Sequence, residues 1–176
     1  IQFVGACNPP TDVGRHPLNN RFLRHCPLLY VDFPGKDSLR QIYGTFNRAI
    51  LRKAGSVFSG QSEHLTEAMV EFYMQCQTHY TSYFYFFFFW GVGELTRWKH
   101  AINESIENIS DTDGLVRLWA HEALRLFQDR LVLDEEKVWC DQLVDKVASQ
   151  CFPSISTQAL ERPILFTNLL TNNYIS

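Results

Sequence analysis

The sequence predicts a mainly α chain that opens with a short α/β stretch. Two apolar runs near the start, residues 1–7 (IQFVGAC) and 28–31 (LLYV), read as buried strands because each ends in turn formers. From residue 38 onward the apolar positions recur instead at three- and four-residue steps, the period of helices packed by one face. About five such helical stretches follow one another to residue 150.

The first run stops at Asn8-Pro9-Pro10, where consecutive prolines cannot extend a ladder. Residues 11–20 (TDVGRHPLNN) are turn formers and polar groups, hence a surface loop. The second run closes at Asp32-Phe33-Pro34-Gly35. The first long helix is predicted with Asp37 or Ser38 as N-cap, an inward stripe of Leu39, Ile42, Tyr43, Phe46 and Ile50, and Gly55 beyond its basic end. The second helix faces inward with Leu65, Met69, Phe72, Tyr73 and Cys76. The third covers residues 94–109 with Leu95, Trp98, Ile102 and Ile106 inward. For the fourth, residues 111–113 supply cap candidates and Leu115, Leu118, Trp119, Leu126, Phe127 and Leu131 form the stripe. Its polar groups Glu122, Arg125, Asp129 and Arg130 read as solvated or paired within the helix. The fifth covers residues 134–150 with Val138, Leu143, Val144 and Val147, stopped by Phe152-Pro153. An apolar run at 163–166 marks the mixed tail. A two-strand sheet is too small to stand alone. A chain that opens at Ile1 inside such a run is therefore expected to be a piece of a larger protein with more strands upstream.

Composition excludes several classes. Hydrophobic residues make up 45% and charged residues 20%, a globular balance. Sixteen Lys+Arg against nineteen Asp+Glu give a net charge of −3, so no basic excess neutralises phosphates and nucleic acid is not an expected partner. The longest aromatic or apolar run, residues 83–90, falls far short of the roughly 20 residues that span a bilayer, so no membrane partner is expected. Five cysteines, an odd number without a C-x-x-C pair, read as reduced thiols. His121-Glu122 opens like a zinc helix, but Arg125 stands where the second histidine belongs, and no metal site is predicted.

Three positions in the opening stretch carry candidate chemistry. Asn8 lies at the C-terminal end of the first run, where open α/β sheets place ligands. Arg21 and Arg24, three apart, share a face if that stretch is helical, and a guanidinium from such a corner reaches a phosphate bidentately. The alternative has Asn8 capping a turn and the arginines solvated or paired with Asp12 and Asp32.

The segment IQFVGACNPPTDVGRHPLNNRFLRHCPLLYVDFPG resembles the second half of an AAA+ large subdomain from dynein heavy chains, the third module of the ring in particular. LRQIYGTFNRAILR, ELTRWKHAINE, LVRLWAHEALRLFQDRLV and RPILFTNLL are similar to the same module and its lead-out toward the fourth, closer to the cytoplasmic than the axonemal type. The resemblance implies the last two strands of a large subdomain in residues 1–36, a helical small (lid) subdomain in 37–133, and a helix and lead-out in 134–176. It implies that Asn8 is sensor 1. It also implies that Arg21 is an arginine finger acting in trans on the adjacent module, with Arg24 the second candidate. ATP or ADP with Mg would be the ligand of the complete module. Neighbouring AAA+ modules, other dynein subunits and the microtubule would be the partners, and the cytoplasmic cytoskeleton the location.

Two departures bear on this. No G-x-x-x-x-G-K-[ST] and no strand with an Asp-Glu pair occurs, so the chain by itself is not expected to bind or hydrolyse ATP. Gly93 stands where the family's sensor-2 arginine is expected, directly after eight consecutive aromatics at 83–90. A pyrimidine tract before a splice acceptor reads as repeated Phe, so residues from about 81 to 93 are expected to be retained intron or a mispredicted exon edge. The competing readings are an aromatic insert of one lineage and a membrane-dipping loop. A transcript encoding Ser-Pro-Arg at this place is the expected finding, and one that retains the Phe run overturns it. Beside the motor reading stand a non-catalytic helical interaction module and a non-functional gene fragment, either favoured by a start codon at Ile1. A self-sufficient ATPase is disfavoured by the missing phosphate loop.

Overall fold

The computed structural model describes residues 1–7, 10, 14–80, 91–156 and 158–166, and these divide into two units, Ile1–Phe33 and Pro34–Ser176. In the first unit the only helix among the described residues is α1, Asn20–Leu23, whose N-cap Asn19 accepts a hydrogen bond from the Arg21 backbone N–H at 2.8 Å. Neither predicted strand forms among the described residues, and Phe3, Val4, Leu29, Tyr30 and Val31 are exposed. A strand exists through ladder bonds to a neighbour, and 1–7 and 28–31 make none with each other.

In the second unit every regular element among the described residues is a helix. Helix α2, Lys36–Ala54, starts on Gly35 without a side-chain cap, so neither Asp37 nor Ser38 caps it; it ends at Gly55, whose φ of 122° suits glycine. Helices α3 (Gln61–His79), α4 (Val92–Ser105), α5 (Thr112–Phe127) and α6 (Asp134–Cys151) follow, with single 3₁₀ turns after α2, α4 and α5. Helix α5 begins as its sequence implies, with the Asp111 carboxylate accepting from the Gly114 N–H at 2.7 Å. α3 packs on α2 and α6, while α5 packs on α4 and α6.

The core lies where these helices meet. Phe72 of α3 sits at its centre, with T-shaped contacts to Trp98 of α4 (5.6 Å between ring centroids) and to Trp119 and Phe127 of α5 (6.2 and 5.3 Å). Such pairs add about 0.5–1.5 kcal/mol each beyond the area they bury. Three expected inward positions face out instead: Ile42 and Phe46 of α2 and Val138 of α6 are about half exposed. The inward stripe of α2 runs through Leu39, Tyr43, Asn47, Ile50 and Leu51, one step round the helix from the predicted line. Asn47 is fully buried because its amide donates to the Thr66 hydroxyl at 3.0 Å. Lys99 covers the outward Phe46 ring at 4.8 Å.

Charge also ties α2 to α3. Arg40 donates two hydrogen bonds to Glu67 (2.7 and 2.6 Å) and Lys36 donates to Glu71 (2.6 Å), which hold both carboxyls below their ordinary range. All five cysteines are free thiols; burial raises Cys76, pushes Cys140 up to about 12 and pushes Cys151 up to about 11, so these three resist becoming thiolates.

Candidate functional site

The chemistry-bearing positions fall on two separate elements. In the first unit α1 is a single turn, and its brevity follows from Asn19 capping it and the turn residues His25 and Cys26 closing it. Arg21 lies inside the turn and Arg24 is its C-cap in helical conformation, so the two arginines stand one turn apart as their spacing implies. Both are exposed. The Arg24 Nε donates to the His25 ring at 2.8 Å, not to Asp32, whose carboxylate instead accepts from the Phe33 N–H. The Arg21 guanidinium has no hydrogen-bond or ion-pair partner among the described residues. A free, exposed guanidinium on a capped turn is available to an anion supplied from outside the chain. Asn8 and the aromatic run at 83–90 lie outside the described residues.

In the second unit Gly93 occupies the first turn of α4, which starts at Val92, two residues earlier than predicted. A Cβ built there meets no atom within 4 Å, so the fold leaves room for a side chain at this position. The turn itself is firmly placed. The buried Tyr43 hydroxyl donates to the Val92 carbonyl at 3.0 Å and lies 3.0 Å from the Thr96 hydroxyl, and burial raises its pKa. Glu94 is buried between two guanidiniums: Arg97 reaches both of its oxygens (3.1 and 3.2 Å) and Arg130 does the same (3.1 and 3.2 Å). Arg130 is thus not a solvated or intrahelical group as its sequence context suggests. It bridges from the turn after α5 to the start of α4.

Sequence reasoning missed Tyr43, Glu94 and Arg130 as a unit. The one signal available was Glu94 itself, an acid placed in a first turn immediately before the inward Leu95. Glu122 follows the predicted pattern, being held within α5 by Arg125 at 2.9 and 2.5 Å. Among the described residues no cluster of His, Cys, Asp and Glu could hold a metal ion, and no helix is long and apolar enough to cross a membrane.

Comparison with known proteins agrees with the helical half of this arrangement. Residues 46–137 match the family model described as the dynein heavy chain ATPase lid domain. Along its full length the chain is 58% identical to a cytoplasmic dynein heavy chain of Paramecium tetraurelia. Over 99% of its length it is 54% identical to one of Dictyostelium discoideum and 53% identical to one of Drosophila melanogaster. It spans about 4% of the length of each of these relatives. With a lid-domain match across just over half of its residues and identity above one half throughout, the chain belongs to the dynein heavy chain family.

Proposed function

We propose that the chain forms part of the third AAA+ module of a cytoplasmic dynein heavy chain, an ATP-driven microtubule motor. In this reading residues 1–36 end the large subdomain, 37–133 are the lid, and 134–176 lead out toward the fourth module. The observation that carries it is the identity above one half over the whole chain, since the family model accounts only for residues 46–137. The helical body of the second unit suits a lid, because a packed core moves as one piece and passes rotation to its neighbours.

Asn8 would serve as sensor 1 for the module's own nucleotide, ATP or ADP with Mg bound by residues outside this chain. Arg21, with Arg24 as second candidate, would reach across to the nucleotide of the second module and stabilise charge there. Gly93 leaves the sensor-2 position without a guanidinium, and Arg97 cannot replace it while it remains paired with Glu94. Neighbouring AAA+ modules are then the direct partners. The microtubule and the other dynein subunits are engaged by the parent protein in the cytoplasm. A non-catalytic helical interaction module is the second reading; the identity to dynein heavy chains over the whole chain argues against it.

Arg21→Ala in the complete motor should weaken nucleotide binding at the second module about tenfold, the loss of one charge-assisted contact. α1 keeps its cap in this variant, because Asn19 bonds the backbone of residue 21 and not its side chain. Equilibrium binding of a fluorescent nucleotide checks it, and unchanged affinity together with unchanged motility refutes the finger role.

A further inference from the structure

In the second unit almost every arginine is engaged. Arg40 holds Glu67, Arg97 and Arg130 hold Glu94, Arg125 holds Glu122, Arg162 holds Asp141 and Asp145, and Arg117 holds three main-chain carbonyls. Arg48 and Arg52 are the exceptions: neither has a hydrogen-bond or ion-pair partner among the described residues. They are four apart on α2 and line one cleft of about 250 Å³. Two guanidiniums at this spacing repel each other, so their juxtaposition is unfavourable until an anion lies between them.

The rest of the cleft is built for such an anion. The buried Phe58 contributes an apolar part of its wall. Ser59 and Ser62 bring hydroxyl donors, and Gly60 between them takes φ +83°, a conformation that favours glycine. Two acids, Glu63 and Glu67, line the adjoining groove with Arg48; neither pairs with it, and Glu67 is held by Arg40. Lys53, directly after Arg52 in sequence, pairs instead with Glu107 at 2.7 Å.

We propose that this cleft is a phosphate-binding site, in which Arg48 and Arg52 grip a phosphate dianion from two sides and the serine hydroxyls complete its shell. Two positive charges match the two negative charges of the ligand, and planar guanidiniums offer the paired donors that phosphate oxygens accept. The phosphate can arrive as the free ion or as the phosphoester of a serine within residues 56–62. Either would rivet the end of α2 to the start of α3. The inference does not depend on which ring module the chain belongs to.

The test is hydrogen exchange, read on peptides from residues 48–64 of the full-length heavy chain, after phosphatase treatment, in millimolar phosphate against chloride at matched ionic strength. The local readout separates this cleft from nucleotide sites elsewhere in the motor. With phosphate at about ten times its dissociation constant, amides around residues 55–63 should exchange about tenfold more slowly. R48Q/R52Q should abolish the effect and R48K/R52K should keep part of it; both arginines are exposed, so the variants retain the fold. If slow exchange precedes phosphatase treatment and is lost with a phosphate mass from a serine of 56–62, the loop is its own source. Equal exchange in phosphate and chloride, or equal protection in R48Q/R52Q, overturns the proposal.

Discussion

Trp119→Ala should destabilise the helical unit by about 3–5 kcal/mol, a large share of the roughly 5–15 kcal/mol that holds a domain together. Trp119 is fully buried and touches Phe72, Trp98 and Phe152, with ring centroids 6.2, 5.8 and 5.8 Å away. Truncation therefore leaves a cavity walled by rigid rings that cannot collapse into it. Trp119→Phe should cost much less, under about 2 kcal/mol. The indole Nε1 of Trp119 is buried without a hydrogen-bond partner, and removing an unsatisfied donor offsets part of the lost volume. Urea-dependent hydrogen exchange of the α5 amides reads this unit whatever else the polypeptide contains. Equal losses for the two variants would mean that the indole N–H is satisfied or that the site relaxes freely.

The helix faces were legible because periodicity is local. The predicted inward sets of α3, α4 and α5 are buried without exception, since each element's stripe alone decides which way it turns. Position 46 shows the limit. Phe46 continues the α2 stripe in sequence, but the directions of α3 and α4 select the line through Asn47, and the ring is left to Lys99. A polar residue won a core position because Thr66, nineteen residues away, supplies its partner. The two strands failed for a related reason: apolar composition marks a segment that suits a ladder, whereas the ladder needs another segment beside it. The Glu94 fork was out of reach because Arg130 meets it across 36 residues. Placement and spacing single out Asn8 and Arg21 as candidates, whereas only the family resemblance assigns them roles and points to Gly93; the capped turn shows Arg21 without a partner of its own among the described residues.

Arg117→Ala should release residues 156–166 from α5 while leaving the aromatic core in place. Arg117 donates to the carbonyls of Ala159, Glu161 and Pro163 at 3.4, 3.0 and 2.8 Å, three alternate carbonyls gathered by one guanidinium. One turn before it Asp113 accepts from the Ser156 N–H at 3.3 Å, and one turn after it His121 lies 3.3 Å from the Ile164 carbonyl. Residues 113, 117 and 121 thus form a rail along α5, opposite the face that buries Trp119. Hydrogen bonds to a charged donor contribute about 1.5–3 kcal/mol when intact, so amides of 158–166 should exchange about ten- to a hundredfold faster in the variant. Ile164 and Phe166 remain as apolar anchors, which limits the release to local opening. Arg117→Lys should behave nearly like alanine, because one ammonium cannot span three carbonyls. Arg162→Ala, which frees the same segment from Asp141 and Asp145 at the more exposed side, should have the smaller effect. Unchanged exchange in Arg117→Ala would show that the anchors alone hold the segment. The expected order, Arg117→Ala above Arg162→Ala with α5 amides unmoved in both, would make α5 the helix that joins the core to the chain leaving it.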